Sequence, residues 1–303
     1  MPALSEVLAR IERELGPAEG SPLPLSGGIT NRNYRLRLGD RDCVVRLPGE
    51  DTELLGIDRG SERLAAERAA SLGIGPELLY ADANCAVTAF VPGVPVDPGH
   101  LRADPSQVAR ALRAFHDSGL ALPARFWMPD LLNAYAQVVA QRGGVLPAAY
   151  LRAQQLVDRI AEVLPLTEPV PCHDDLLAGN LIQTDGHVLL VDWEYAGLGH
   201  RYFDLGNLAV NNEFDEAAER QLLEAYFGQP VGRGGGRDID PQLAALRLFR
   251  LVSDAREAAW GVVQGLLSTL DFDFATYADE HFERLDRAAS DPRVEEYLHA
   301  ATP

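Results

Sequence analysis

Residues 172–180 read Cys172-His-Asp-Asp-Leu-Leu-Ala-Gly-Asn180. Twelve residues further on, at the end of the apolar run 188–191, comes Val191-Asp192-Trp193-Glu194. A histidine, an aspartate two positions later and an asparagine seven positions later are ordinary turn formers on their own. The second carboxylate at the end of the next strand changes the reading. Phosphoryl transfer needs one carboxylate to take the proton of the attacking hydroxyl, and an amide oxygen and a carboxylate to hold the metal that bridges the phosphates. A tight loop–strand–turn–strand unit brings all three to one point. The candidates are therefore His173 and Asp175 for the chemistry, and Asn180 and Asp192 as metal ligands.

Working outward, the flanks differ in character. Downstream the pattern is helical at about 201–212, 215–228, 240–268, 273–289 and 292–300. Val231-Gly-Arg-Gly-Gly-Gly-Arg237 interrupts it as a low-complexity loop. Upstream of the unit lie helix candidates at 105–118, 130–142 and 148–164, and before them the chemistry of strands. Segments 33–38 and 42–47 alternate and are joined by Gly39-Asp40, a hairpin turn. An amphipathic helix is expected at 3–15, a second helix at 56–72 ending at Gly73, and short apolar stretches at 77–80 and 86–91. Pro92-Gly93, with Pro95 and Pro98 close behind, breaks the chain. The order is α+β, a small sheet-bearing lobe over 1–93 followed by a large, mainly helical lobe over 94–303.

The small lobe offers further candidates. Ser26-Gly-Gly-Ile-Thr-Asn31 sits between two expected strands. Gly27 and Gly28 let backbone N–H groups approach phosphate oxygens, and Ser26, Thr30 and Asn31 add side-chain donors. Arg46, at the end of the following strand, is placed as a cation against the phosphates. Glu62 on the next helix is its expected partner, with Glu67 the alternative. Ala89 and Val91, before Pro92-Gly93, offer backbone groups to adenine.

Composition excludes other classes. Hydrophobic residues make up 47% and charged residues 24% of the 303, ordinary for a globular protein. A formal net charge of −18 and the lack of a basic stripe argue against nucleic acid. Cys43, Cys85 and Cys172 have no metal-like spacing and cannot all pair, which fits a reducing compartment. Glu6, Arg10, Glu12, Arg13 and Glu14 exclude a secretory leader over 1–20, and no uncharged apolar run reaches bilayer length. A cytoplasmic location without membrane attachment is expected.

With these residues in place, the chain resembles the small-molecule kinases that include choline/ethanolamine kinases and aminoglycoside phosphotransferases. The likeness runs from about residue 23 to 270 and is most specific over 173–206. It implies a protein-kinase-like two-lobed fold, with a small antiparallel-sheet N-lobe and a large helical C-lobe, using ATP and Mg²⁺. It implies Asp175 as catalytic base, Asn180 and Asp192 as magnesium ligands and His173 as the structural histidine of the loop. Arg46 matches the phosphate-contacting cation and Glu62 its helix partner, counted from Leu72-Gly-Ile-Gly-Pro76. Asp204 matches an aspartate that buttresses the loop, a position that also suits a helix N-cap.

The choline kinase branch fits better than the antibiotic one. Cys43-Val-Val-Arg-Leu-Pro-Gly49, with Arg46 where lysine is usual, resembles bacterial choline kinase-like sequences, as does Arg201-Tyr-Phe-Asp-Leu-Gly-Asn207. Trp260-Gly-Val-Val-Gln264 resembles the segment carrying a choline-cage tryptophan. A quaternary ammonium has no N–H donor, so its site uses aromatic faces and carboxylates. Trp260 supplies a face, with Tyr195, Tyr202, Glu213, Asp254 and Glu257 as candidate neighbours. Two departures stand out: the family's second cage tryptophan falls near Glu257, and Leu177 replaces a polar residue of the catalytic loop. The expected acceptor is a small cationic alcohol, choline- or ethanolamine-like. Thiamine, a sugar or an aminoglycoside, and an inactive nucleotide-binding member, are the alternatives.

Overall fold

The computed structural model describes residues 4–25, 31–231 and 239–301. Ser26, Gly27, Gly28 and Thr30, and the glycine-rich loop from 232 on, lie outside the described residues.

The chain opens with helix α1 (Leu4–Leu15) and strands β1 (Ala18–Leu25), β2 (Arg32–Leu38) and β3 (Arg41–Leu47). After helix α2 (Arg59–Ser71) come β4 (Leu78–Asp82) and β5 (Cys85–Ala89). The five strands form one antiparallel sheet in the order β1-β2-β3-β5-β4. Alternation along β3 and β5 sends Cys43, Val45, Leu47, Cys85 and Val87 to one face, where Val7 and Ile11 of α1 cover them. Each of those two helix side chains is fully buried, worth about 1.5–3 kcal/mol of apolar burial. Helix α1 thus packs on its own sheet.

Helix α2 begins three residues later than the apolar spacing suggests. Gly56 is left-handed at φ 84° and ends a 3-10 turn, Thr52–Leu55; Asp58 then caps α2 through the Ser61 N–H at 2.6 Å.

Beyond β5 a two-residue strand β6 (Val94–Pro95) pairs with a hairpin far downstream. The sequence holds no sign of this pairing, which lets the crossing segment join the sheet of the 181–190 hairpin; Gly93 allows it, since a Cβ there would lie 2.5 Å from the Gln183 carbonyl oxygen.

Helices α3 (Pro98–Ala103), α4 (Ser106–His116), α5 (Met128–Gln141) and α6 (Ala148–Val163) follow. Then come β7 (Val170–Cys172), β8 (Leu181–Thr184), β9 (His187–Leu190) and β10 (Gly197–Gly199). Helices α7 (Arg201–Asn211), α8 (Glu216–Phe227), α9 (Pro241–Leu267), α10 (Phe274–Ala289) and α11 (Arg293–Ala300) complete the order. β8 pairs with β6 on one side and β9 on the other, and β10 pairs with β7.

Helix α9, 27 residues long, is the axis of the helical part. It is buried from Leu243 to Gln264 on nearly every side, between α5, α6, α7, α10 and α11. Gly206 lets α7 lie directly on it: a Cβ there would come within 2.6 Å of the Phe249 backbone. Ala65 and Ala69 of α2 share a core with Leu181, Leu190 and Trp193, so the helix carrying Glu62 rests on the unit carrying Asp192. Among the described residues, no helix is long and apolar enough to cross a membrane.

Candidate active site

The segment from β7 to α7 is held from beneath by Asp204. This carboxylate, fully buried in the first turn of α7, accepts the His173 N–H (2.9 Å), the Asp174 N–H (2.8 Å) and His116 Nε2–H (2.9 Å). Burial alone would push its carboxyl up; the hydrogen bond and charge of His116, with His173, hold it below the ordinary range. The N-cap of α7 is His200, so the alternative reading of Asp204 as a cap does not apply. Asn207 continues the anchoring: its Oδ1 accepts the Leu176 N–H at 2.5 Å and its Nδ2 donates to Ser253 Oγ of α9 at 2.9 Å.

His173 has both ring nitrogens engaged. Nε2–H donates to the Val191 carbonyl at 3.0 Å, and Nδ1 accepts the Asp175 N–H at 3.3 Å. Its ring lies against Trp193, 4.5 Å between centroids. Burial keeps it neutral by lowering its pKa, against the pull of Asp204. The geometry makes His173 an anchor that shapes the loop and leaves it no free nitrogen for proton transfer, which corrects its placing among the chemically active residues.

Asp175, Asn180 and Asp192 are brought together as the spacing predicts. Asn180 ends a 3-10 turn, Ala178–Asn180, and its Nδ2 donates to the Asp175 carbonyl (2.9 Å) and to Asp175 Oδ2 (3.0 Å). The Asn180 Oδ1 has no partner among the described residues. Asp192 has a left-handed backbone, φ 63°, unusual outside glycine and tolerated by Asp and Asn. Arg46 reaches over from β3: Nη1 donates to Asp192 Oδ1 (3.0 Å) and Glu194 Oε2 (3.3 Å), and Nη2 pairs with Glu62. Glu62 also takes Arg59 at 2.7 Å. Glu67, the alternative partner, pairs instead with exposed Arg63.

Carboxylates outnumber cations here; Asp175 and Glu194 are buried and Asp192 is partly so. Burial, with Glu194, pushes the Asp192 carboxyl up to about 6, against Arg46 and Arg59. Burial likewise pushes Asp175 up to about 7; Arg256 opposes the shift, and Glu257, Asp192 and Glu194 add to it. A divalent cation between them would relieve both terms, and the unengaged Asn180 oxygen supplies a neutral ligand. The donor set therefore fits Mg²⁺, which Asn180 and Asp192 would hold.

On the other side of Asp175 stands α9. Arg256 Nη1 lies 3.5 Å from Asp175 Oδ1 and 2.8 Å from Glu257 Oε1, with its guanidinium 4.3 Å above the Tyr195 ring. Tyr277 OH donates to Glu257 Oε2 at 2.7 Å. Trp260 Nε1–H donates to Tyr195 OH at 2.9 Å, and the indole packs edge-on against Phe274 and Tyr277. Trp260, Tyr195 and Glu257 are therefore neighbours, linked through Tyr277 and Arg256.

Three other expected neighbours go elsewhere. Asp254 faces α10 and pairs with Arg284 (2.8 Å). Glu213 ends α7 with its side chain in solvent and has Arg102 3.8 Å away. Tyr202 stacks among His200, Phe227 and Phe249. On the small lobe, the Ala89 N–H already donates to the Glu77 carbonyl at 2.9 Å, so that donor is not available to a base; Val91 lies beyond the strand. Asn31 is buried, and its side-chain polar atoms have no partner among the described residues.

Sequence reading missed Arg59, Glu194, His116, Arg256 and Tyr277. The available signal was the charged run Asp254-Ala-Arg-Glu257 inside an otherwise apolar helix, since buried charges are rare unless paired.

Ethanolamine kinase 2 of Rattus norvegicus is 28% identical over 313 residues, covering 94% of this chain and 80% of the relative. The crystal structure of a choline/ethanolamine kinase family protein from Mesorhizobium loti has a TM-score of 0.77 at 27% identity, covering 98% of each chain. Choline kinase LicA from Streptococcus pneumoniae has a TM-score of 0.77 at 22% identity, covering 94% of this chain and 98% of that one, and 0.72 in its complex with AMP, at 21% identity. The fold is thus the protein-kinase-like α+β fold, with an antiparallel-sheet N-terminal lobe and a helical remainder. The model of the phosphotransferase enzyme family matches residues 22–239, from β1 past α8, and so takes in the sheet, Arg46 and the whole unit around Asp175; the chain belongs to that family.

Proposed function

We propose that the chain transfers the γ-phosphate of ATP to the hydroxyl of a small cationic alcohol, choline- or ethanolamine-like. The observation that carries this reading is the convergence of Asp175, Asn180 and Asp192, with Arg46 at hydrogen-bond distance from Asp192. The division of labour follows from position. The sheet-bearing part, 1–93, binds nucleotide, with Arg46 on the phosphates, Glu62 holding Arg46 and Val91 meeting the base. The part from 94 on carries the catalytic loop and the acceptor wall.

Asp175 is the base. It orients the acceptor hydroxyl and takes its proton as the new O–P bond forms and the bond from Pγ to the β-phosphate oxygen breaks, releasing ADP. A carboxyl pushed towards neutrality is a better proton acceptor than an ordinary one. Asn180 holds Asp175 by one oxygen, while its own Oδ1 and the Asp192 carboxylate would hold the metal. Mg²⁺ bound there supplies neutralisation of the phosphate charge. On the acceptor side, Trp260, Tyr195 and Tyr277 present aromatic surface, and Glu257 adds the carboxylate that an ammonium group requires. A cytoplasmic setting suits the three cysteines, all free thiols and all buried.

The test is ADP formation with ethanolamine, choline, thiamine and kanamycin in parallel. Turnover is expected with ethanolamine or choline, and chelation of Mg²⁺ by EDTA should abolish it. Silence on both amino alcohols, or turnover that persists in EDTA, would overturn the proposal.

A further inference from the structure

Arg256 is buried to 3% side-chain exposure in the middle of α9, beside the proposed base. One of its nitrogens, Nη1, is engaged by Asp175 and Glu257. The other two, Nε and Nη2, are buried and have no hydrogen-bond partner among the described residues. These two form the side-on edge of the guanidinium, whose parallel N–H groups match two oxygens of a carboxylate or phosphoryl group. Buried donors are nearly always satisfied, and leaving one unmade costs about 1–3 kcal/mol. A whole guanidinium edge left open beside the reacting carboxylate therefore calls for a ligand.

We propose that the Nε–Nη2 edge of Arg256 binds an oxyanion of the reacting pair. Building on the phosphotransfer reading, this oxyanion is the phosphoryl group in transfer or a carboxylate carried by the acceptor itself. The surroundings preset the edge. Tyr195 supports the guanidinium plane from one face at 4.3 Å, and Glu257 fixes Nη1 at 2.8 Å and is itself held by Tyr277 at 2.7 Å. The cation is thus locked in orientation with one edge free. Glu257 also balances the charge, so an acceptor carrying an ammonium group is not repelled.

Two substitutions separate the edge from the charge. Arg256→Lys keeps a cation for Asp175 and Glu257 but lacks the paired N–H edge; Arg256→Met lacks both. The Lys variant should melt near the wild type. It should lose the thermal shift that nitrate, a planar oxyanion, produces with Mg·ADP. Turnover is compared on ethanolamine and on L-serine and L-homoserine, which carry a carboxylate. A fall in kcat of roughly tenfold or more on every acceptor, with KM little changed, assigns the oxyanion to the phosphoryl group. A rise in KM confined to the carboxylate-bearing alcohols assigns it to the acceptor. A Lys variant with the wild-type nitrate shift, and within about threefold of wild type in kcat and KM on every acceptor, overturns the proposal while leaving the phosphotransfer reading intact. Conversely, a wild type that phosphorylates none of these alcohols but loses its nitrate shift in Arg256→Lys would leave Arg256 standing and refute the acceptor reading.

Discussion

Asp175→Asn should lower kcat by about 10³-fold, within the range that a positioned general base contributes. The amide preserves the shape of the side chain and a partner for Asn180, but it cannot take the proton. The fold should not suffer. Burial, with Glu257, Asp192 and Glu194, disfavours the ionised form of Asp175 and outweighs Arg256. Its carboxyl is raised from 3.8 to about 7, so between those values the folded chain keeps a proton that the unfolded chain has lost. Stability from this group is therefore full below the unfolded value and falls as pH rises through the folded one. Asparagine has no such slope. The melting temperature of the variant should match the wild type near pH 4 and gain on it towards pH 8. A variant keeping more than about a tenth of kcat would remove Asp175 from the role of base.

Asp204→Ala should cost about 3–5 kcal/mol of stability and nearly all turnover, because it leaves buried polar groups without their charged partner. The backbone N–H groups of His173 and Asp174 and the ring of His116 all lose their acceptor at once. The loss corresponds to a fall in melting temperature of roughly 10 °C for a chain of this size. Asp204→Asn keeps one oxygen and should recover part of the stability. It should recover little activity, since its NH₂ group faces a backbone donor and the loop cannot close as before. Thermal melting and initial rates on the three proteins check this; an alanine variant melting within about 2 °C of wild type would show that Asp204 does not hold the loop.

The parts of the site that were legible are those encoded locally. Asp175, Asn180 and Asp192 sit within one short loop–strand–turn–strand unit, where chain connectivity alone limits their separation. Arg46 was legible because alternation along β3 sends Cys43, Val45 and Leu47 into the core and leaves Arg46 on the other face. The helices were legible because their apolar faces repeat at helical spacing; the caps Asp58 and Asp240 set starts slightly later than that spacing places them.

What escaped depends on partners far apart in the chain. His116 meets Asp204 across 88 positions, and nothing near His116 announces it. Helix α9 is buried nearly all round, so its pattern cannot say which face meets the loop. Asp254 and Glu257 are one turn apart and looked equivalent; packing against α10 sends the first to Arg284, while the second reaches Arg256 and Tyr277. Glu213 looked close to the site in sequence, but its backbone turns left-handed, φ 54°, at the end of α7 and its side chain points into solvent. The pairing of β6 with β8 involves two residues only, too short for any periodic signal.

The most direct test of phosphoryl transfer to a small amino alcohol is ³¹P NMR of the wild-type chain incubated with ATP, Mg²⁺ and ethanolamine or choline. The account predicts a new phosphomonoester resonance, coupled to the CH₂ protons beside the alcohol oxygen, growing in step with ADP. Inorganic phosphate as the sole new species, or an ester formed on kanamycin and on neither amino alcohol, would contradict it.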